Sequence, residues 1–207
     1  MNNLKLVTLL LLTITFNYLF KEILNLDSLI ISSITEELTN DQIQGFINFQ
    51  RQWEWLSYII TPTLVLIKII IIAGILDIGC FFFDIKIKYK KLFRIVVNGE
   101  YIFLLVAIFK TIWFLTFQTD YTLEDIQNFY PLSALNIVDY RGLETWFIYP
   151  FQVLNLFEVA YWFILAYLIG KEINDTTEKG LLIVASSYGT GLLIWVIGTM
   201  FLILNMS

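Results

Sequence analysis

Five long apolar stretches account for most of this chain, at about 4–24, 57–83, 92–117, 146–169 and 181–204. Apolar runs of about 18 residues or more with few charges have the length needed to cross a bilayer as helices. In lipid every backbone N–H and C=O must be satisfied within the protein, so such runs fold as α-helices. The expected architecture is therefore an all-α polytopic membrane helix bundle, one integral-membrane domain over 1–207 with five transmembrane helices. Charged residues make up only 15% of the chain, against about a quarter in soluble domains.

Polarity inside these runs is scarce and therefore informative. Lys68, Asp77, Glu100, Lys110 and Glu158 lie within spans two to four, joined by Asn98, Asn155 and Asn17. A charge at bilayer depth costs at least a few kcal/mol, so such residues pair or face a polar cavity. Counting residues from each boundary at about 1.5 Å apiece puts Lys68 and Glu158 at similar depths, which permits an ion pair. Asp77 and Glu100 fall at a second common level, without an assigned cation. Lys110 lies nearer the other boundary, where its stem can snorkel toward headgroups.

The first run meets Lys21-Glu22, and no small-residue cleavage site follows Phe20, so it reads as an uncleaved helix rather than a signal peptide. The apolar pattern resumes in ILNLDSLIISSI, either continuing the helix or lying along the surface. Pro62 is expected in the first turns of span two, where proline costs a helix least. Span five has no charge but carries Ser186, Ser187, Gly189, Thr190, Gly191 and Gly198. Small residues of this kind let helices approach closely in lipid.

Orientation follows from the loops. Lys86, Lys88, Lys90, Lys91 and Arg94 crowd the connection between spans two and three, and Lys171 and Lys179 lie between spans four and five. With Lys5 this face holds eight basic residues, against Lys21, Arg51 and Arg141 on the other. That other face carries acids instead: Asp27, Glu36, Glu37, Asp41 and Glu54, then Asp120, Glu124, Asp125, Asp139 and Glu144. The positive-inside rule places the amino terminus in the cytoplasm and the carboxyl terminus outside. The basic loop is a topology determinant or a contact for anionic lipid headgroups.

Both acidic loops contain short helical patterns. TEELTNDQIQGFINFQRQWEW spaces Ile43, Phe46, Ile47 and Phe49 in a partly helical rhythm, and Thr122 precedes Asp125 by three residues in the manner of a capping box. They are expected as amphipathic helices on the outer face. Trp53, Trp55, Tyr58, Trp113, Tyr130, Trp146 and Tyr149 cluster near that boundary as interfacial anchors.

The chain has no histidine and a single cysteine, Cys80. It shows none of the common hydrolase, metalloprotease, P-loop or dinucleotide motifs, so no catalytic residue, metal or cofactor is expected. A net charge of −5 argues against nucleic acid as partner. Two functional readings remain. In the first, the chain is a non-enzymatic adaptor or subunit of a membrane complex, with the bilayer, a protein partner or a second copy as its contacts. In the alternative, it is a small transporter or channel with a polar path lined by Asp77, Glu100 and Glu158.

The basic stretch KIKYKKLFRIVVNGEYIFLL, leading directly into span three, resembles a loop of the Yip family of membrane proteins, of the form G-x-x-x-x-F-x-x-x-L-R-x-x-x-Y. Lys91, Leu92, Arg94 and Val97 take comparable places, although the glycine ahead of the loop's aromatic is missing. YPFQVLNLFEVAYWFILAYLIG resembles the family's fourth span after its Trp-rich outer loop. The resemblance covers spans two to five. It implies five spans with a cytoplasmic amino terminus and an adaptor's role, as in eukaryotic members that act in membrane traffic. The Ile-, Asn- and Lys-rich composition points to a bacterial inner membrane.

Overall fold

A computed structural model describes residues 3–35 and 38–206. Glu36 and Glu37 of the first acidic loop, and Ser207 at the carboxyl end, lie outside the described residues. The described residues fold as eleven α-helices with two short non-α turns. Four segments are long and apolar enough to cross a membrane: Leu4–Ile23, Asn40–Phe82, Tyr89–Thr116 and Thr177–Met206. The expected span at 146–169 is not among them.

Helix α1 (Asn3–Ile23) ends before Leu24, and Asn25 turns the chain with a left-handed φ of 50° into α2 (Leu26–Ile34). Asparagine tolerates that conformation better than most residues, so the helix breaks here instead of continuing. Helix α3 (Asn40–Phe82) is the longest element, at 43 residues, or about 65 Å. The expected separate amphipathic helix before span two is instead the first part of α3. Nothing between Gln50 and Ser57 breaks a helix, so the chain stays helical beyond the apolar boundary. Pro62 consequently lies deep inside α3 and not in its first turns. A proline there removes one backbone donor, and the Thr63 hydroxyl donates to the nearby Ile59 carbonyl at 2.7 Å. At the start of α3, the Thr39 backbone N–H donates to Gln42 Oε1 at 2.9 Å.

The third span comprises α4 (Tyr89–Glu100) and α5 (Ile102–Thr116), meeting at Tyr101. Between α5 and the next long helices lie α6 (Leu123–Asn128), α7 (Leu135–Val138) and a 3₁₀ turn at Tyr140–Gly142. Thr122 and Asp125 cap α6 reciprocally: the Asp125 N–H donates to Thr122 Oγ1 at 3.2 Å, and the Thr122 N–H donates to Asp125 Oδ2 at 2.9 Å. This is the pairing that their spacing suggests.

The fourth expected span is two helices, α8 (Thr145–Val153) and α9 (Leu156–Glu172). Asn155 is extended, and its side-chain Oδ1 accepts from the Glu158 N–H at 2.8 Å, capping α9. The freed backbone at the break is satisfied by the 118–144 segment: the Ala134 N–H donates to the Leu154 carbonyl at 2.8 Å, and the Leu156 N–H donates to the Leu132 carbonyl at 3.1 Å. This strap therefore supplies partners for backbone groups that the break leaves outside a helix. The last apolar segment runs from α10 (Thr177–Val184) through a π-helical turn at Ala185–Gly189 into α11 (Thr190–Met206).

The main core lies between α3, α4, α9 and α10, toward the basic loop. Ile69, Ala73, Leu76, Leu92, Val96, Leu165, Ala166, Ile169, Ile183 and Val184 are all sealed within it. Glycine permits the closest approaches. A Cβ on Gly180 would land on the Ala166 carbonyl oxygen, and one on Gly99 would come within 2.7 Å of the Tyr161 ring. The small residues of span five divide: Ser187 packs on Gly79 and Gly189 on the Trp162 ring, whereas Gly198 borders open space. A second, smaller core of Leu24, Phe114 and Ile126 lies toward the acidic loops.

Candidate functional site

The ionisable residues inside the apolar helices gather around Lys68, but not in the pairing their depths suggest. Lys68 Nζ forms its ion pair with Glu100 Oε2 at 3.0 Å, and not with Glu158. The reason is helix adjacency: α3 packs on α4, whose last residue is Glu100. Glu158 is satisfied otherwise. Its Oε1 accepts from the Tyr188 hydroxyl at 2.7 Å and from Trp162 Nε1 at 3.0 Å. Lys68 and Glu100 nevertheless remain within electrostatic reach of Glu158.

Aromatic rings wall this cluster. Lys68 Nζ stands 3.9 Å from the centroid of the Phe103 ring, and the Tyr161 ring lies 5.8 Å from the same ammonium. Rings at these distances attract a cation through their negative faces. Tyr161 and Tyr188 meet edge to face with centroids 5.5 Å apart. Two polar atoms inside the cluster, Glu100 Oε1 and the Tyr161 hydroxyl, are buried without a well-formed hydrogen bond, and the hydroxyl interacts with the Glu100 carboxyl beside it. Lys68 is the accessible member, with 42% of its side chain exposed against 5% for Glu100.

The other polar candidates are spread through the bundle. Asp77 lies on α3 beyond Lys68 toward the basic loop and forms neither a hydrogen bond nor an ion pair among the described residues, so the expected Asp77–Glu100 level is no joint site; Glu100 already has its cation. Asn98 accepts from Lys5 Nζ at 2.9 Å, while the Tyr101 hydroxyl donates to the Lys5 carbonyl at 2.6 Å, fastening α1 to the third span. Asn155 serves as the α9 cap. Asn17 lines a groove of about 570 Å³ between α1, α2 and α3. Lys110 is half-buried, its ammonium 5.7 Å from the Phe20 ring.

On the basic face, Lys86, Lys88, Lys90 and Arg94 are exposed and make no ion pair among the described residues, whereas Lys91 pairs with Glu172. Lys179 pairs with Asp175 at 2.8 Å, and that hydrogen bond holds the Asp175 carboxyl below its ordinary range. On the acidic face, Lys21 binds both Glu54, at 2.6 Å, and Asp27, at 3.0 Å. Asp125 accepts from the Tyr140 hydroxyl at 2.9 Å and from Arg141 Nη2 at 3.1 Å. Burial alone would raise the Asp125 carboxyl, but its bonds to Thr122 and Tyr140 and the Arg141 charge hold it down at about 2. A groove of about 1040 Å³ opens between α5, α9 and the 118–144 segment.

Sequence reasoning found the charges but missed their aromatic wall. Tyr161 and Trp162 stand three and four residues after Glu158, on one helical face, and that spacing was the available signal. Phe103 and Tyr188 come from other elements and carried none. Among the described residues no group of three His, Cys, Asp or Glu side chains could hold a metal ion. The arrangement can hold charge in an apolar setting.

Fold and site together define the class: an all-helical chain with four helices long and apolar enough to cross a membrane and a Lys–Glu pair between two of them. Comparison with known protein families, with curated proteins and with solved structures finds no match.

Proposed function

We propose that this chain is a non-enzymatic integral-membrane adaptor, or a subunit of a membrane complex. The observation that carries this reading is that the charges inside the apolar helices have separate neighbours or stand apart instead of lining a shared path. Lys68 is tied to Glu100, Glu158 to Tyr188 and Trp162, and Asp77 stands apart from both. Below Lys68 toward the basic loop, a layer of fully buried aliphatic side chains fills the space between α3, α4, α9 and α10. A solute path lined by Asp77, Glu100 and Glu158 would have to cross that layer. The basic loop running into span three, which resembles the Yip family, supports the same reading.

In this proposal the α8–α9 pair crosses the bilayer as a broken helix, the fourth of five spans in chain order. The basic loop lies in the cytoplasm of a bacterium and the acidic segments lie outside the inner membrane. Single cysteines introduced by Lys88→Cys and Asn174→Cys should react only with permeant maleimides in intact cells, and those from Asp41→Cys and Asp139→Cys with impermeant ones. The opposite labelling pattern, or both α8–α9 ends on one side, would reject the topology. For the role itself, the tagged chain should copurify with a partner or a second copy after mild detergent extraction and crosslinking in its own membrane. A chain recovered alone and monomeric would sink the adaptor reading.

A further inference from the structure

We propose that the groove between the basic loop (83–88) and the α9–α10 turn binds the two phosphates of one anionic phospholipid headgroup. This rests on the chain lying in a membrane but not on the adaptor role. The experiment reads lipid binding alone, so either can fail without the other.

The basic loop gives one wall. Asp84 turns the chain with a left-handed φ of 55°, and the Ile85 N–H donates to the Cys80 carbonyl at 2.9 Å. Ile85 and Ile87 pack against the core, which leaves the alternating Lys86 and Lys88 exposed. The α9–α10 turn gives the other wall. Its Asp175 N–H donates to the Gly170 carbonyl at 2.9 Å, and a Cβ on Gly170 would meet the Thr176 carbonyl oxygen at 2.6 Å. Lys91 on α4 pairs with Glu172 at the end of α9 and ties the two sides together. The groove between them measures about 520 Å³. Both walls are fixed by the fold, so binding requires little ordering of the chain.

Charge selects the occupant. Four lysines line the groove, Lys86, Lys88, Lys91 and Lys179, against two carboxylates, Glu172 and Asp175. Lys91 and Lys179 pair with those carboxylates, and Lys86 and Lys88 have no ion pair among the described residues. The nearby acids Asp84 and Glu178 do not line the groove. The surplus of two lysines matches two phosphodiesters on one headgroup, as in cardiolipin.

Position selects a lipid over a soluble phosphate. The groove lies where α3 and α9 end and where α4 and α10 begin, at the margin of the apolar helices. Phe81 and Phe82, the last residues of α3, are 76% and 77% exposed and offer apolar surface to acyl chains. Basic pockets between helices at a membrane surface hold headgroups of this kind.

The test titrates the full chain, purified in mild detergent, with cardiolipin, phosphatidylglycerol or phosphatidylcholine and counts bound lipid by native mass spectrometry. One cardiolipin per chain is expected, held about tenfold more tightly than phosphatidylglycerol, with phosphatidylcholine not retained. Replacing both lysines, Lys86→Gln with Lys88→Gln, should weaken cardiolipin about tenfold or more. Lys90→Gln with Arg94→Gln removes the same charge from the same face outside the groove and should change binding less than about twofold. Equal losses in the two double variants would mean diffuse attraction to a basic surface and overturn the site. Equal retention of cardiolipin and phosphatidylglycerol overturns it too, as does displacement of cardiolipin by millimolar inorganic phosphate. Each single replacement, expected to lose about threefold, keeps the test valid should circular dichroism show the Lys86, Lys88 double variant unfolded.

Discussion

The two ends of this bundle are held together by different physics. Toward the basic loop, α3, α4, α9 and α10 interlock through side chains with no exposure at all, and glycines bring backbones into contact. Toward the acidic loops, α8 and α11 bury no residue fully, and α5 buries only Val106 and Phe114. There the chain relies on polar fastenings: Lys21 with Glu54 and Asp27, Asp125 with Arg141, and the 118–144 strap across the break at Asn155. Dispersion contacts in a packed core respond sharply to shape, whereas exposed ion pairs contribute little individually. One end is thus specified by volume and the other by hydrogen bonds and charge. The Lys68 cluster borders the dry end, since Tyr161 belongs to its core and Phe103 packs against it.

If this contrast is right, shape changes should be severe at one end and mild at the other. Gly180→Val drives a side chain into the Ala166 backbone, where neither partner is a flexible tip. The expected cost is about 3 kcal/mol or more, read as loss of folded, monodisperse protein in detergent. Leu165→Ala, at 0% exposure, should cost about 2–5 kcal/mol by leaving a cavity. Leu193→Ala on α11, at 59% exposure, should stay within about 0.5 kcal/mol. Thermal unfolding of the three variants side by side decides the matter; equal losses for Leu165 and Leu193 would erase the distinction between the ends.

A smaller effect tests the polar fastening. Asn155→Ala removes the α9 cap and two bonds donated to the Gln152 and Val153 carbonyls, both at 2.9 Å. A lost cap typically costs about 1–2 kcal/mol. Because the break also anchors the strap, backbone amides of 132–136 should exchange faster with solvent in this variant while those of α4 and α10 do not. Faster exchange throughout would mean that the break belongs to the dry core.

What could be read in advance follows the same division. The four long apolar helices were legible because hydropathy is a local property, and the reciprocal Thr122–Asp125 cap because its three-residue spacing is local too. The fourth span failed as a single helix. Pro150 and Asn155 were visible inside it, but the decisive partner is the distant Leu132–Ala134 backbone. The extension of α3 back to Asn40 was missed by ending a helix where hydropathy ends, although nothing in QRQWEWLS stops one. Lys68 was recognised as needing a carboxylate, yet depth alone could not choose Glu100 over Glu158, since the choice depends on which helices touch. The aromatic wall was half legible, in Glu158 and Trp162 one turn apart.

A local effect concerns Asp125, and its sign is fixed by the folded carboxyl at about 2, below the ordinary 3.8. A carboxyl lowered on folding stabilises the folded form in full above its ordinary value, and that contribution fades as pH falls through the window between the two. Arg141 is 69% exposed, so solvent screens part of the pair, and Asp125→Asn should loosen the 118–144 segment by only about 1 kcal/mol. At neutral pH the variant's amides in 122–141 should exchange faster than the wild type's, after correction for intrinsic rates. Near the folded value of about 2 the two proteins should converge, because the wild-type carboxyl then carries its proton too. Helices α4, α9 and α10 should show no such pH dependence. A wild type whose loop protection survives unchanged to that acidity would mean that shape, and not charge, holds the acidic end together.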